Sequence, residues 1–260
     1  MNYTKVLITG AGSYIASQCM PSLELGSADI FLQARKFFDP KKIFEHNKSK
    51  SIIIENLSGE DALKKLENSL DLRPEDNLLI INFIGSFGSM ERINSLDIKK
   101  FESEINENLT PFMVLSKLVT KCKQGLFLSF TGAGVGGNNL EIASLSYLAS
   151  KASIAVLIEG LDNFLRNDGI RVGAISPGPF PSKMQKMVAE SHGESSVSVE
   201  RRNQAIATMQ TEIDATKLIS MLNFLVANPE LAGGRIWSAN FDPHLKDLEK
   251  ENFGKMRRVF

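Results

Sequence analysis

Tyr147 and Lys151 stand at positions i and i+4. On a helix that spacing puts both side chains on one face, about 6 Å apart along the axis. A free phenol has a pKa of about 10 and exchanges its proton poorly at neutral pH. A fixed ammonium beside it favours the phenolate and brings that pKa toward the working range. The chemistry open to the pair is proton transfer to or from a substrate oxygen. Many helices hold such a pair by chance, so its meaning depends on what surrounds it.

A second group of residues could hold an anion. Val6-Leu7-Ile8 runs into Thr9-Gly10-Ala11-Gly12-Ser13-Tyr14-Ile15-Ala16, a strand, a glycine turn and a helix start. Backbone N–H groups point outward at such a junction, the helix dipole favours negative charge, and glycines let a pyrophosphate approach the main chain. Gly10, Gly12, Ser13, Tyr14 and Ile15 are the candidate contacts. At the end of the next strand an acidic residue would bond ribose hydroxyls, whereas a basic one would accept a 2′-phosphate. The chain reads Gln33-Ala34-Arg35-Lys36 there, so Arg35 favours NADP over NAD.

The elements that must position these groups alternate in kind. Strands are expected at Val6–Ile8, Asp29–Gln33, Ser51–Ile54, Leu78–Ile81, Leu126–Phe130, Arg171–Ile175 and Arg235–Ser238. Helices are expected from the glycine turn to about Leu25, then over Ala62–Leu70, Ile98–Cys122, Leu145–Arg166 and Asp214–Ala227. Strands this apolar are buried on both faces, and strict alternation with helices gives right-handed β-α-β units. The expected fold is α/β, one doubly wound parallel sheet with helices on both faces. No linker splits the chain. It reads as one domain over residues 1–243 with a C-terminal tail at 244–260. The polar stretch from Phe180 to about Gln210 breaks the rhythm and reads as a mobile helical flap over a site.

Composition narrows the function classes. Formal net charge is zero, so no basic field favours nucleic acid. Cys19 and Cys122 are too few for a disulfide framework, and the three histidines lie far apart in sequence, so no metal is expected. No apolar stretch has signal or membrane-spanning length, and the expectation is a soluble, cytoplasmic protein without membrane insertion.

The glycine turn, Asn82-Phe83-Ile84-Gly85, Asn108, the Tyr147/Lys151 segment and Ser176-Pro177-Gly178 occur in one order at particular intervals. In this the chain resembles the single-domain branch of the short-chain dehydrogenase/reductase family from Lys5 to about Ala239. Leu145-Ser146-Tyr147-Leu148-Ala149-Ser150-Lys151-Ala152 is the most specific match. The resemblance implies a Rossmann fold and a nicotinamide-dependent oxidoreductase acting on a small carbonyl or alcohol. Tyr147 is then the general acid or base, and Lys151 holds the nicotinamide ribose and lowers the Tyr147 pKa. Asn108 matches the asparagine that holds a proton-relay water. Asn82 and Gly85 match the first and last positions of an Asn-Asn-Ala-Gly motif. Pro177 and Gly178 match the turn lining the nicotinamide, and Ser182 matches a phosphate-contacting threonine. A homodimer or homotetramer through helix faces is also implied.

Four positions depart from the family pattern. Tyr14 and Ala16 replace glycines, and Tyr14 puts bulk near the cofactor path, which Gly12 partly offsets. Asn56-Leu57 replaces the Asp-Val/Leu pair at the adenine. Phe83-Ile84 replaces the middle of Asn-Asn-Ala-Gly. After the fifth strand Thr131 stands where the family has a carbonyl-polarising serine; a threonine hydroxyl makes the same hydrogen bond. Ser129 is the alternative.

The flap contributes Lys183, Lys186, His192, Arg201 and Arg202, a surface suited to an anionic or hydroxylated substrate. Gly233–Pro243 is similar to the end of reductases of surface-polysaccharide and nucleotide-sugar synthesis, which implies a keto-sugar. Two other readings stand beside this one. One is a nicotinamide-binding protein without turnover. The other is a nucleotide-sugar epimerase or dehydratase, which usually carries a larger C-terminal substrate domain.

Overall fold

A computed structural model describes residues 2–36, 49–89, 91, 93–132, 144–190, 196–211 and 214–239 of the chain. His192 and the tail at 244–260 lie outside the described residues, as do Asn240–Pro243 from the segment similar to the sugar reductases.

Among the described residues seven strands form one parallel sheet: β1 (Lys5–Thr9), β2 (Asp29–Ala34), β3 (Ser49–Ile53), β4 (Asn77–Asn82), β5 (Gln124–Phe130), β6 (Ile170–Ser176) and β7 (Ile236–Ser238). Their order across the sheet is β3-β2-β1-β4-β5-β6-β7. The chain therefore leaves β1 in one direction and returns beside it as β4, which opens a crevice at the carboxyl ends of those two strands. This is the doubly wound Rossmann arrangement that the alternation implies.

Successive strand residues face opposite layers. In β1, Val6 and Ile8 pack on one side and Leu7 on the other; in β4, Leu79 and Ile81 oppose Leu78 and Ile80. The first layer holds α1 (Tyr14–Cys19) and α7 (Thr216–Ala227), with Ala16, Cys19, Leu218 and Leu222 in its core. The second holds α2 (Gly59–Leu70), α3 (Ile98–Val119) and α4 (Leu145–Leu165), with Leu66, Phe112, Leu115 and Ile158 in its core. Between β6 and α7 lie α5 (Lys183–Ala189) and α6 (Ser196–Gln210), packed on each other within the stretch expected to form a flap. No helix among the described residues is long and apolar enough to cross a membrane.

One boundary differs clearly from the sequence expectation. The first helix stops at Cys19, and Met20–Ser22 form a 3-10 turn with Pro21 in its first turn. A proline has no N–H to continue an α-helical ladder and sits comfortably only near a helix start.

Gly10 fixes the crevice floor. Its φ is +65°, and a Cβ there would lie 2.9 Å from Ile84 N and from Phe83 C. A Cβ at Gly12 would meet nothing within 4 Å. Gly10→Ala should therefore lower unfolding stability by about 1–3 kcal/mol through strain and backbone collision. Gly12→Ala should stay within about 0.5 kcal/mol of the original chain. Urea denaturation of both variants checks this, and equal losses would contradict it.

Candidate active site

The polar residues of the central strands collect at their carboxyl ends. Thr9 of β1, Asn82 of β4 and Ser129 of β5 share one row of the sheet. The Thr9 hydroxyl donates to Asn82 Oδ1 at 2.8 Å, and Asn82 Nδ2 donates to Ser129 Oγ at 3.3 Å. Asn82 Oδ1 also accepts the N–H of Ile84 at 3.1 Å and so shapes the turn to Gly85. Asn82 is thus a buried strand-end staple. Ser129, the alternative to Thr131, is used within the same row.

Helix α4 begins above this row. Ser144 is its N-cap, and the hydroxyl accepts the Tyr147 N–H at 3.3 Å. Tyr147 is 6% exposed and lies against the backbone after β5, where a Cβ on Gly132 would sit 1.7 Å from its hydroxyl oxygen. Phe87 covers the ring at a centroid distance of 5.2 Å. Lys151, one turn further, is 3% exposed and donates from Nζ to the Phe130 carbonyl at 2.9 Å. Its Nζ lies 5.8 Å from the centre of the Tyr147 ring, and a Cβ on Gly85 would be 3.7 Å from it. Thr131 is buried between Phe130, which stacks on Phe83 at 4.6 Å, and Gly132. Tyr147, Lys151, Gly85 and the Thr131–Gly132 turn are thereby gathered into one site.

The electrostatics correct one expectation. Burial pushes the Tyr147 phenol up to about 12, and burial pushes Lys151 down to about 8. The expected lowering of the phenol by its neighbour is not the dominant effect here. The Lys151 ammonium is drawn to the Phe130 carbonyl, and loss of water disfavours the charged form of each group.

Asn108 on α3 lies beside the pair, with its carboxamide committed to protein. Its Oδ1 accepts the Ser86 N–H at 2.8 Å, while Nδ2 donates to the Ser86 carbonyl at 2.9 Å and to Ser150 Oγ at 3.1 Å. These bonds join α3, the turn after β4 and α4.

The model of the family described as short chain dehydrogenase matches residues 4–193. The chain belongs to the short-chain dehydrogenase/reductase family. It is 25% identical over 186 residues to an uncharacterised oxidoreductase of Staphylococcus aureus (strain MW2), covering 66% of this chain and 76% of that protein. Its fold is similar to NAD+-bound xylitol dehydrogenase, with a TM-score of 0.70 at 20% identity, over 91% of this chain and 98% of the other. It is also similar to a variant actinorhodin polyketide ketoreductase with NADPH, with a TM-score of 0.71 at 15% identity, over 90% and 95% of the two chains. Both nicotinamide dinucleotides thus occur on this fold.

The remaining positions matched to this short-chain dehydrogenase/reductase pattern differ in exposure. Ser13 caps α1, its hydroxyl accepting the Ala16 N–H at 3.2 Å, and Tyr14 is 41% exposed, with Ile15 half-buried behind it. Arg35 is exposed at the end of β2, as is Asn56 after β3. The Leu57 side chain is in the core with Leu63 and Leu66. Gly178 has φ +83° in the turn after Pro177, and Ser182 caps α5 by accepting the Gln185 N–H at 3.4 Å. A cleft of about 300 Å³ opens beside this turn, lined by Pro177, Phe180, Thr208, Asp214 and Lys217 among others. It does not reach Tyr147, Lys151 or Thr131.

Sequence reasoning missed Gln33 as a positioning group. It is buried, its Oε1 accepts the Gly10 N–H at 3.2 Å, and its Nε2 donates to the Ile54 carbonyl at 2.9 Å. A glutamine closing an apolar strand beside a glycine turn was the available signal. Phe87 and Gly132 had none, since their roles depend on contacts distant in sequence.

A lysine whose folded-state pKa lies below its unfolded value binds fewer protons when folded. For Lys151 the window runs from about 8 to 10.5, so its burial penalty is full below 8 and relieved as pH rises through it. The original chain should gain stability relative to Lys151→Met across that range, by an amount on the order of 3 kcal/mol. Chemical denaturation of both proteins at pH 7 to 10.5 checks the difference, and parallel profiles would contradict it.

Proposed function

We propose that this protein is an NADP(H)-dependent oxidoreductase that interconverts a carbonyl and an alcohol, with Tyr147 as the proton donor or acceptor. The observation that carries this reading is the meeting of the Tyr147 hydroxyl with the Thr131–Gly132 turn, with Lys151 buried beside Gly85. A phenol held up to about 12 keeps its proton at neutral pH, which suits a general acid in the direction of reduction.

The crevice fits a dinucleotide on its own terms. Gly10 holds the backbone at a positive φ, and the space over Gly12 is open. When bound there, the nicotinamide supplies or removes the hydride at the reacting carbon. The Tyr147 hydroxyl gives its proton to the carbonyl oxygen, and the Thr131 hydroxyl donates a hydrogen bond to that same oxygen. The phenolate that remains is favoured by the Lys151 ammonium, so the cation matters most after the proton has left. Arg35 is exposed at the end of β2, where it would receive a 2′-phosphate, and this basic side chain supports NADP as the cofactor.

A keto-sugar, free or nucleotide-linked, is the substrate class we assign. Lys183 and Lys186 are exposed on α5 beside the turn after β6, where they can meet an anionic or hydroxylated molecule. Exposed Met113 on α3 and Val156 and Phe164 on α4 support assembly into a homodimer or homotetramer.

Tyr147→Phe should reduce kcat by roughly 10²–10⁴-fold while leaving NADPH affinity in place. Stopped-flow or steady-state oxidation of NADPH over a panel of keto-sugars measures this. Unchanged turnover would overturn the assignment of Tyr147, and reduction only of acyl thioesters or steroids would overturn the substrate class. Arg35→Ala should weaken NADPH binding roughly ten- to a hundredfold, the worth of a charge-assisted hydrogen bond, with little change for NADH. A tighter grip on NADH than on NADPH in the original chain would reverse the cofactor assignment.

A further inference from the structure

The N-terminal turn of α4 is held by a buried carboxylate that the proton-transfer chemistry does not use. Glu104 on α3 is 9% exposed, and its Oε2 accepts the Ser146 hydroxyl at 2.6 Å and the Ser89 hydroxyl at 3.1 Å. The backbone between these partners is pressed onto them. Gly88 has φ +75°, and a Cβ there would lie 2.4 Å from Ser146 Oγ and 2.7 Å from Glu104 Oε2. Beside it, the Ser144 hydroxyl donates to the Phe87 carbonyl at 2.5 Å.

These bonds repeat with the period of the helices. Glu104 grips Ser146, and one turn further along both helices Asn108 grips Ser150 at 3.1 Å. Ser146 immediately precedes Tyr147, and Ser150 immediately precedes Lys151. A shift of α4 by one residue would rotate its side chains about 100° and break both bonds at once. A buried ion is costly unless it is hydrogen-bonded, and two apolar side chains would pack α3 on α4 without that cost. What the carboxylate adds is direction. It can only accept, so both hydroxyls must point to it. The loop it holds through Ser89 also carries Phe87, whose ring lies on Tyr147.

We infer that Glu104 is a positioning residue that sets the register of α4 against α3 through Ser146 and seats Tyr147 between Phe87 and Gly132. This rests on the reading of Tyr147 as the proton-transfer group.

The test compares Glu104→Leu, Ser146→Ala and Glu104→Gln with the original chain and with Tyr147→Phe. The first readout, on the free protein, is the nuclear Overhauser contact between the Phe87 and Tyr147 rings. The second is kcat and KM for NADPH with 2,3-butanedione as the carbonyl probe. Glu104→Leu and Ser146→Ala should lose or weaken the ring contact and lower kcat roughly ten- to a hundredfold, with KM for NADPH within about twofold. Glu104→Gln keeps an acceptor for Ser146 and should restore both the contact and most of the turnover. If Glu104→Leu fails to fold, Ser146→Ala takes its place, cutting the same bond with almost no change of volume, along with the 3.1 Å contact between the Ser144 and Ser146 hydroxyls. An intact ring contact and unchanged kcat in a folded Leu or Ala variant would overturn the inference, as would a Gln variant as impaired as the Leu variant. Full turnover by Tyr147→Phe would instead sink the reading of Tyr147. The ring contact would then still decide whether Glu104 sets its position.

Discussion

A parallel sheet covered by helices on both faces leaves almost no place for polar side chains except the ends of its strands. In this protein that constraint concentrates chemistry at one edge. Thr9, Asn82 and Ser129 form a hydrogen-bonded row where β1, β4 and β5 end. The glycine turn leaves from the first of these strands, the Gly85 turn from the second and the Thr131–Gly132 turn from the third. Because β1 and β4 are neighbours through a reversal of chain direction across the sheet, these turns open away from one another and leave a crevice.

Helix α4 brings the reactive pair to that crevice at a cost in solvation. Tyr147 and Lys151 lose nearly all contact with water, and burial moves both away from their charged forms. Their relation is therefore not the simple one of a cation activating a phenol. In the free protein Tyr147 is held by packing against Phe87 and Gly132 and Lys151 by the Phe130 carbonyl, and burial favours the protonated phenol. In the proposed reaction a negative oxygen would become favourable beside Lys151 only when a substrate takes the proton. Such a site is dry enough for a modest charge to have a large effect.

Much of this was legible in the residues. The seven apolar runs gave the strands, and their alternation with helical patterns gave the doubly wound sheet. The Tyr147/Lys151 spacing on a long helix was legible because helical geometry is local. What was not legible depends on partners far apart in sequence. Glu104 and Ser146 are separated by 42 residues, and nothing in either segment marks them as a pair. Pro21 ended the first helix earlier than its apolar pattern suggested. The direction of the Tyr147 shift needed the three-dimensional burial, because sequence spacing reports the neighbour and not the loss of water.

The central claim is that a dry site keeps Tyr147 protonated until a substrate oxygen takes the proton. The most direct measurement is a pH titration of the chain labelled with 13Cζ-tyrosine, with the Tyr147 resonance assigned by its absence in Tyr147→Phe. In the free protein that resonance should remain in its protonated position beyond the ordinary phenol pKa of about 10. A midpoint at or below the ordinary value would contradict the account, because it would mean that the cation already governs the phenol before any cofactor or substrate is bound.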